Sequence, residues 1–275
     1  AGSAITTGNG SNTAIGYQAL GNEDDGTYNT CIGYRAGLNA NGSYGNVLLG
    51  AQAVAAPTLT GSYNNVMGMQ AGNALTSGGY NIIIGYQAGD AMTTTSHTVL
   101  IGYAAGSAIN SADSDGTIAI GYQAGVNITE AVGSVIMGYQ AGYNVITNDY
   151  NVFIGYQAGF DADSADTNAT YNSYMGAFSG KNMDDGSSNT ALGSFALYGS
   201  TSAGNDAAQC VAVGISALED ITTGDDNVAV GGYTLRDVTT GAANVGIGRN
   251  AGDAITTTSN TVLVGHFAGS DINHN

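Results

Sequence analysis

The sequence predicts an all-β fold, a parallel β-solenoid of about fifteen coils, and three observations predict it. A glycine recurs at near-constant spacing, an aliphatic residue or Met stands before each one, and the composition suits short strands and tight turns: 44 Gly, one Pro, no Trp and 9% charged residues. The recurrent positions are Gly16, Gly33, Gly50, Gly68, Gly85, Gly102, Gly121, Gly138, Gly155, Gly176, Gly193, Gly214, Gly231, Gly248 and Gly265. Ten of the fourteen intervals are 17 residues and the others are 18, 19, 21 and 21, so a fixed coil tolerates occasional insertions. Residues 1–275 therefore read as a single repeat domain.

The first element of each unit is a strand that ends on the residue before the glycine. Ile15, Ile32, Leu49, Met67, Ile84 and Ile101, continuing to Val264, share a face with the residue two positions earlier, usually Val, Ile or Thr. That pair is expected to form the core row. The position between them varies from Ala14, Ala119 and Ala191 to Leu48, Ile136, Phe153 and Tyr174, and is expected to face a second sheet or a neighbouring subunit. The glycine then serves as a notch where another backbone comes close.

After the glycine comes Tyr-Gln-Ala, with Tyr at 17, 34, 86, 103, 122, 139 and 156 and Gln at 18, 87, 123 and 157. Because Ala51, Met69, Ala177 and Ile215 replace Tyr in other units, the Tyr column is expected to be buried rather than an exposed stripe. The second half of the unit is expected to hold another short strand and a turn, often "TTG". Its apolar member, such as Met92, Ile109, Ile128, Ile221, Val238 or Ile255, closes the core from the opposite wall.

Asn opens most strands, among them Asn12, Asn29, Asn46, Asn81, Asn151 and Asn227, with Thr98, Thr117, Ser134 and Thr261 as substitutes. In register these side chains form an amide ladder. Ordering one coil costs on the order of 25 kcal/mol at about 1.5 per residue, more than its few apolar side chains return, so stacking is obligatory. At about 4.8 Å per rung the expected rod is roughly 70 Å long, which puts Cys31 and Cys210 about 48 Å apart, too far to bond.

The phrase Asn-Thr/Val-X-Ile-Gly-Tyr-Gln-Ala resembles the repeats of bacteriophage tail fibres, and the variants "SVIMG" and "NVAVG" resemble the head repeats of trimeric autotransporter adhesins. Those heads are left-handed parallel β-rolls assembled as trimers. The resemblance implies a left-handed, homotrimeric, extracellular attachment protein on a cell surface or virion fibre, and it carries no catalytic residue with it.

Four Lys and Arg against 21 acidic residues give a formal charge of -17, which repels nucleic acid and anionic lipid heads. No run approaches the roughly 20 apolar residues of a membrane span. His97, His266 and His274 have no Cys or carboxylate at metal-ligand spacing, and no nucleophile elbow, phosphate loop or zincin pattern occurs. Arg35, Lys181, Arg236 and Arg249 are scattered over different units. Carboxylate pairs for glycoside hydrolysis exist only at Asp113 and Asp115 or among Asp161, Asp163 and Asp166, so no enzyme is expected.

Insertions fall at residues 107–115, 160–170 and 198–209, in the half of the unit where a solenoid places specificity. Asp161, Asp163 and Asp166 are candidate calcium ligands there. The other acidic clusters are Glu23, Asp24 and Asp25, Asp184 and Asp185, and Asp225 and Asp226; they read first as a solvated surface. No other cofactor is expected. The sequence starts and stops within the second half of a unit, so continuation into more protein or end-to-end stacking is expected.

The function expected is a structural, adhesive fibre protein. Its partners are other copies of itself and a cell-surface glycan or protein receptor. The alternatives are a self-assembling subunit of an extracellular filament and, from the threonine-rich turns, an ice-binding solenoid.

Overall fold

The structure, a computed structural model, describes residues 11–22, 25–147, 149–162, 169–201 and 204–270. Among them are fifteen three-residue strands, each ending on the residue before a repeat glycine, and no α-helix. The chain divides into two compact units, Ala1–Ser134 and Val135–Asn275. Seven strands, Thr13–Ile15 to Ile118–Ile120, belong to the first and eight, Val135–Met137 to Val262–Val264, to the second.

Within each unit the strands pair in parallel and in chain order, one repeat apart: Ile15 lies opposite Ile32, Ile83 opposite Leu100, and Ala212 opposite Ala229. Each unit is thus a parallel β-solenoid. The register survives the insertions, because Leu100 still pairs with Ala119, Phe153 with Tyr174 and Ala191 with Ala212. Extra residues leave the coil in its second half without slipping the strand.

The expected second strand does not form. That half of the coil runs as turns joined from coil to coil by single bonds, as where Thr76 N–H donates to Thr93 O at 2.9 Å and Thr239 N–H to Thr256 O at 2.9 Å. Left-handed corners are the reason: Gln18, Leu20 and Tyr28 have φ of 55°, 47° and 60°, and equivalent residues repeat this in later coils. A backbone that reverses curvature so often cannot hold an extended ladder.

The core row is the reverse of the one expected. The variable middle residues, Cys31, Leu48, Val66, Ile83, Leu100, Ile136, Phe153 and Tyr174, are fully buried, whereas Ile15 is 58% and Val264 65% exposed. The ladder asparagine decides this. It sits two residues before the middle position, shares its face, and is itself buried at Asn29, Asn46, Asn64 and Asn81. The Ala of Tyr-Gln-Ala also points inward, at Ala19, Ala36, Ala88, Ala141 and Ala217, and Met92, Ile109, Ile128 and Val238 close the far wall as expected.

Variation inside the coil is a trade of volume between two positions. Where the strand supplies a large residue, the position after the Ala is Gly in every coil except that of Leu48, which has Val54: a Cβ on Gly89 would lie 2.7 Å from Leu100 Cδ1, and one on Gly159 2.8 Å from the Phe153 ring. Where the strand supplies Ala, a leucine takes that position at Leu20, Leu197, Leu218 and Leu235, the last of which also fills the space beside Gly246, whereas Ala119 and Gly246 are followed by Gly125 and Gly252. Leu197, Leu218 and Leu235 keep the left-handed backbone at φ of 51°, 51° and 49°. Their complete burial, worth about 2 kcal/mol each, offsets a strain of similar size.

Two contacts set the rise from coil to coil. At the glycine, a Cβ built on Gly85 would approach the carbonyl carbon of Gly102 to 2.6 Å, and φ there is +137°. At the asparagine, Asn46 donates its backbone N–H to Asn29 Oδ1 at 2.9 Å, and its side-chain amide to that same oxygen at 3.1 Å and to Gly61 O at 3.0 Å. Asn64 does the same to Asn46 and Gly78. The amide therefore satisfies a strand N–H of the next coil and a turn carbonyl together. Thr98 continues the row through its hydroxyl, 2.8 Å from Asn81 Oδ1.

Gly85→Ala is expected to lower stability by at least about 3 kcal/mol, read as a shift in the urea midpoint, because both the contact and the dihedral exclude a side chain. Asn46→Leu, which strands the Asn64 N–H and the Gly61 carbonyl, is expected to cost about 3 kcal/mol. Asn46→Thr should recover much of this, and equal losses for the two variants would show that the ladder contributes through shape alone.

Candidate interaction surfaces

The outer strand face is without charge and largely apolar, with Thr13, Asn65 and Thr190 also exposed on it. In the first unit it exposes Ile15, Ile32, Met67 and Ile82, in the second Met175, Leu192, Val230, Ile247 and Val264. No strand residue is Asp, Glu, Lys or Arg, although the chain carries -17. All charge is thereby confined to turns and insertions.

Next to it stands the Tyr column, which the structure places at the surface, contrary to the expected burial. Being one residue past the glycine, it follows the outward parity of the strand's last residue, and its members are 37% (Tyr86) to 66% (Tyr17) exposed. The rings stack on each other: Tyr17 on Tyr34 at 5.7 Å, Tyr86 on Tyr103 at 5.5 Å, Tyr103 on Tyr122 at 5.0 Å and Tyr139 on Tyr156 at 5.1 Å. Beside them the glutamines form a second amide row, with Gln157 Nε2 3.0 Å from Gln140 Oε1.

A further column went unrecognised in the sequence. Tyr28, Tyr44, Tyr63, Tyr80 and His97 follow one another at centroid distances of 5.1, 5.4, 5.0 and 5.3 Å. Most sit immediately before a ladder Asn or its substitute, and that position was the available signal. His97 is the last ring of this stack. His266 packs against Phe267 at 4.2 Å, and His274 lies outside the described residues.

The second unit adds a larger group of rings. Tyr143 stacks on Phe160 at 5.0 Å, Phe178 meets Tyr156 edge-on at 5.1 Å and 69°, Phe178 stacks on Phe195 at 5.0 Å, and Tyr198 leans on Phe195 at 51°. Lys181 Nζ lies 5.7, 5.5 and 5.8 Å from the ring centres of Phe160, Phe178 and Tyr198. Two of the other cations also rest on tyrosines, Arg35 on Tyr34 and Arg249 on Tyr233, while Arg236 pairs with Asp237 at 2.6 Å.

Three of the acidic residues brace backbone. Asp115 Oδ1 accepts from Ser96 N–H at 2.6 Å, Asp184 Oδ2 from Gly204 N–H at 2.9 Å, and Asp225 Oδ1 from Ala208 N–H at 2.8 Å. Asp113 lies in the 3-10 turn Ala112–Ser114. Of the calcium candidates, Asp161 accepts a hydrogen bond from the Asn144 amide, whereas Asp163 and Asp166, like Glu23 and Asp24, lie outside the described residues. Among the described residues no three His, Cys, Asp or Glu side chains are grouped to hold a metal, and no helix is long and apolar enough to cross a membrane.

Two interior groups are chemically conspicuous. Tyr174 stacks on Phe153 at 5.2 Å with its hydroxyl oxygen buried and without a hydrogen-bond partner. Burial raises its pKa; the Asn189 amide, committed to Ala207 O and to Cys210 N–H, counters this only in part. Cys210 takes the place of an asparagine in the ladder, with its N–H 2.9 Å from Asn189 Oδ1 and its Sγ 3.3 Å from Gly224 O. Both cysteines are buried thiols rather than disulfide partners. Comparison of the chain with models of known protein families and with curated proteins finds no match.

Burial pushes the Cys210 thiol up from 9.0 to about 11; the backbone hydrogen bond at Asn227 works against this and the charges of Asp225 and Asp226 add to it. The folded state therefore prefers the neutral thiol. Its contribution is complete below about pH 9 and is lost as pH rises through about 11. Denaturation midpoints measured across that window should fall for the natural chain and fall less for Cys210→Thr, which keeps the ladder's hydroxyl chemistry. Parallel falls would remove Cys210 as the cause.

Proposed function

We propose that this chain is a structural, adhesive fibre protein that works outside the cell and whose copies pack together, as a trimer, through the outer strand face. The observation that carries this reading is the largely apolar face, free of charge, within each solenoid unit of a chain at -17. Like-charge repulsion opposes association through the acidic turns, and this face allows approach without it. An exposed sheet of Ile, Leu, Val and Met gains about 25 cal/mol per Å² on being covered, and a second copy offers the same coil spacing and therefore the same pleat.

The mechanism is passive. Backbone and asparagine ladders make the coil stiff, and surface groups repeated at every coil bind weakly but many times over. The likeness of the repeat phrase to tail-fibre and adhesin-head repeats favours attachment over catalysis, and of the acids considered for hydrolysis Asp115 accepts from the Ser96 N–H.

Light scattering coupled to size exclusion is expected to give three times the 27.4 kDa chain mass. Met67→Glu and Met175→Glu, one on the outer face of each unit, should shift the mass toward one chain while leaving the circular dichroism spectrum intact. A natural chain that elutes as a monomer at tens of micromolar overturns the packing arrangement.

A further inference from the structure

We propose that the ring group around Lys181 is a binding site for a carboxylate-bearing saccharide, an inference that rests on the attachment reading and gives it a place and a ligand class. The repeat supplies its own comparison. Two residues past the glycine every coil needs an outward residue in the left-handed region, and Gln18, Gln70, Gln87, Gln123, Gln140 and Gln157 meet that need at φ of 51° to 59°. Rings take the same position at Phe178, Phe195, Tyr233 and Phe267, with φ of 61°, 57°, 60° and 56°, and Phe178 and Phe195 are the pair in adjacent coils beside Lys181. A bulky ring is disfavoured in that backbone region, and here it packs on neighbouring rings at 5.1 and 5.0 Å. Two such rings in adjacent coils beside the chain's single lysine set this stretch of the exterior apart.

The ring geometry differs from that of the Tyr column after the glycine, though edge-on pairs also occur at Tyr28–Tyr44 and Tyr44–Tyr63, both at 64°. Along Tyr86, Tyr103 and Tyr122 the interplanar angles are 17° and 12°, so neighbours cover one another's faces. Around Lys181 the angles open to 69° between Tyr156 and Phe178 and to 51° between Phe195 and Tyr198. Edge-on packing of this kind does not close a stack, and half-buried Phe178, Phe195 and Tyr198 keep ring surface toward solvent. The apolar C–H face of a pyranose fits such surface, and its hydroxyls stay in water.

Lys181 supplies the charge selection. It is the chain's single lysine, and among the described residues the ion pair present is Arg236 with Asp237, so its ammonium is held by rings and not by a carboxylate. Ring quadrupoles fix the position of the charge without neutralising it. At physiological ionic strength the acidic surface is screened beyond about 8 Å, so a ligand carboxylate in contact with Lys181 feels its ammonium together with the nearest acids, Asp161 among them, whose N–H donates to Lys181 O at 2.8 Å. Phe160 and Tyr198 also begin the two stretches where the interval grows to 21 residues, which places the site where the repeat departs furthest from its own pattern.

The test is a glycan array carrying sialic-acid-terminated, uronate-terminated and neutral glycans, probed with the full natural chain and with two variants. The natural chain is expected to be retained on carboxylated glycans. Phe178→Gln with Phe195→Gln, which installs the residue the other coils use and so should melt as the natural chain does, is expected to lose at least tenfold in retention on all of them. Lys181→Met should reduce carboxylated glycans to the level of their neutral parents while keeping ring-dependent binding. The site is overturned if no carboxylated glycan is retained, if neutral glycans bind equally well, or if the double variant binds like the natural chain. A chain that still assembles and still adheres to cells through a protease-sensitive receptor overturns this site and leaves the fibre reading standing. A monomer retained on carboxylated glycans does the reverse.

Discussion

Glycine backbone against glycine backbone is the contact on which this structure depends. With no side chain at Gly85, the peptide of Gly102 comes within reach of where a Cβ would stand, and the same approach recurs from Gly33 to Gly50 and from Gly193 to Gly214. Each approach brings the next strand into hydrogen-bonding range and turns the chain through a φ that only glycine holds without strain. The asparagine row depends on that spacing, because Asn46 reaches Asn29 Oδ1 and Gly61 O only if strand and turn rise by the same step. A coil of seventeen residues cannot stabilise itself, and this pair of contacts makes each neighbour complete the previous one.

Inside that frame the side chains adapt. The interior is narrow enough that an alanine from Tyr-Gln-Ala lines it in almost every coil, and where Ser179 or Thr234 replaces that alanine, its hydroxyl donates to Gly176 O or Gly248 O. In most coils Leu and Gly exchange against the size of the strand residue opposite. Tyr174 is the misfit. It fills the space stacked on Phe153 but buries an oxygen with nothing to bond, and Gly180 is the residue that makes room for its ring.

The exterior is sorted by chemistry as strictly as the interior is by volume. Aliphatic residues occupy the outer strand face, rings and amides the adjoining columns, and acids the turns, where they accept from backbone N–H groups. The exchange of Gln for Phe178 and Phe195 beside Lys181 is the point at which the regular exterior becomes particular.

Reading the residues in order was enough to determine the period, the parallel in-register stack, the asparagine ladder and the far wall at Met92, Ile109 and Ile128, because each is a consequence of spacing alone. It misjudged which strand face is the core, since the near-invariant aliphatics such as Ile15 and Ile32 looked more core-like than a position ranging from Ala14 to Tyr174. It also took the Tyr column for a buried one and a second strand for the turns. Those three outcomes were settled only when the chain closed on itself: the left-handed corners at Gln18, Leu20 and Tyr28 set the direction of every later side chain, and a dihedral of that sign leaves no mark in hydrophobic periodicity. The ring group at Lys181 belongs with them, because Phe160, Phe178 and Tyr198 are 18 and 20 residues apart in the chain and meet only through the stacking of three coils.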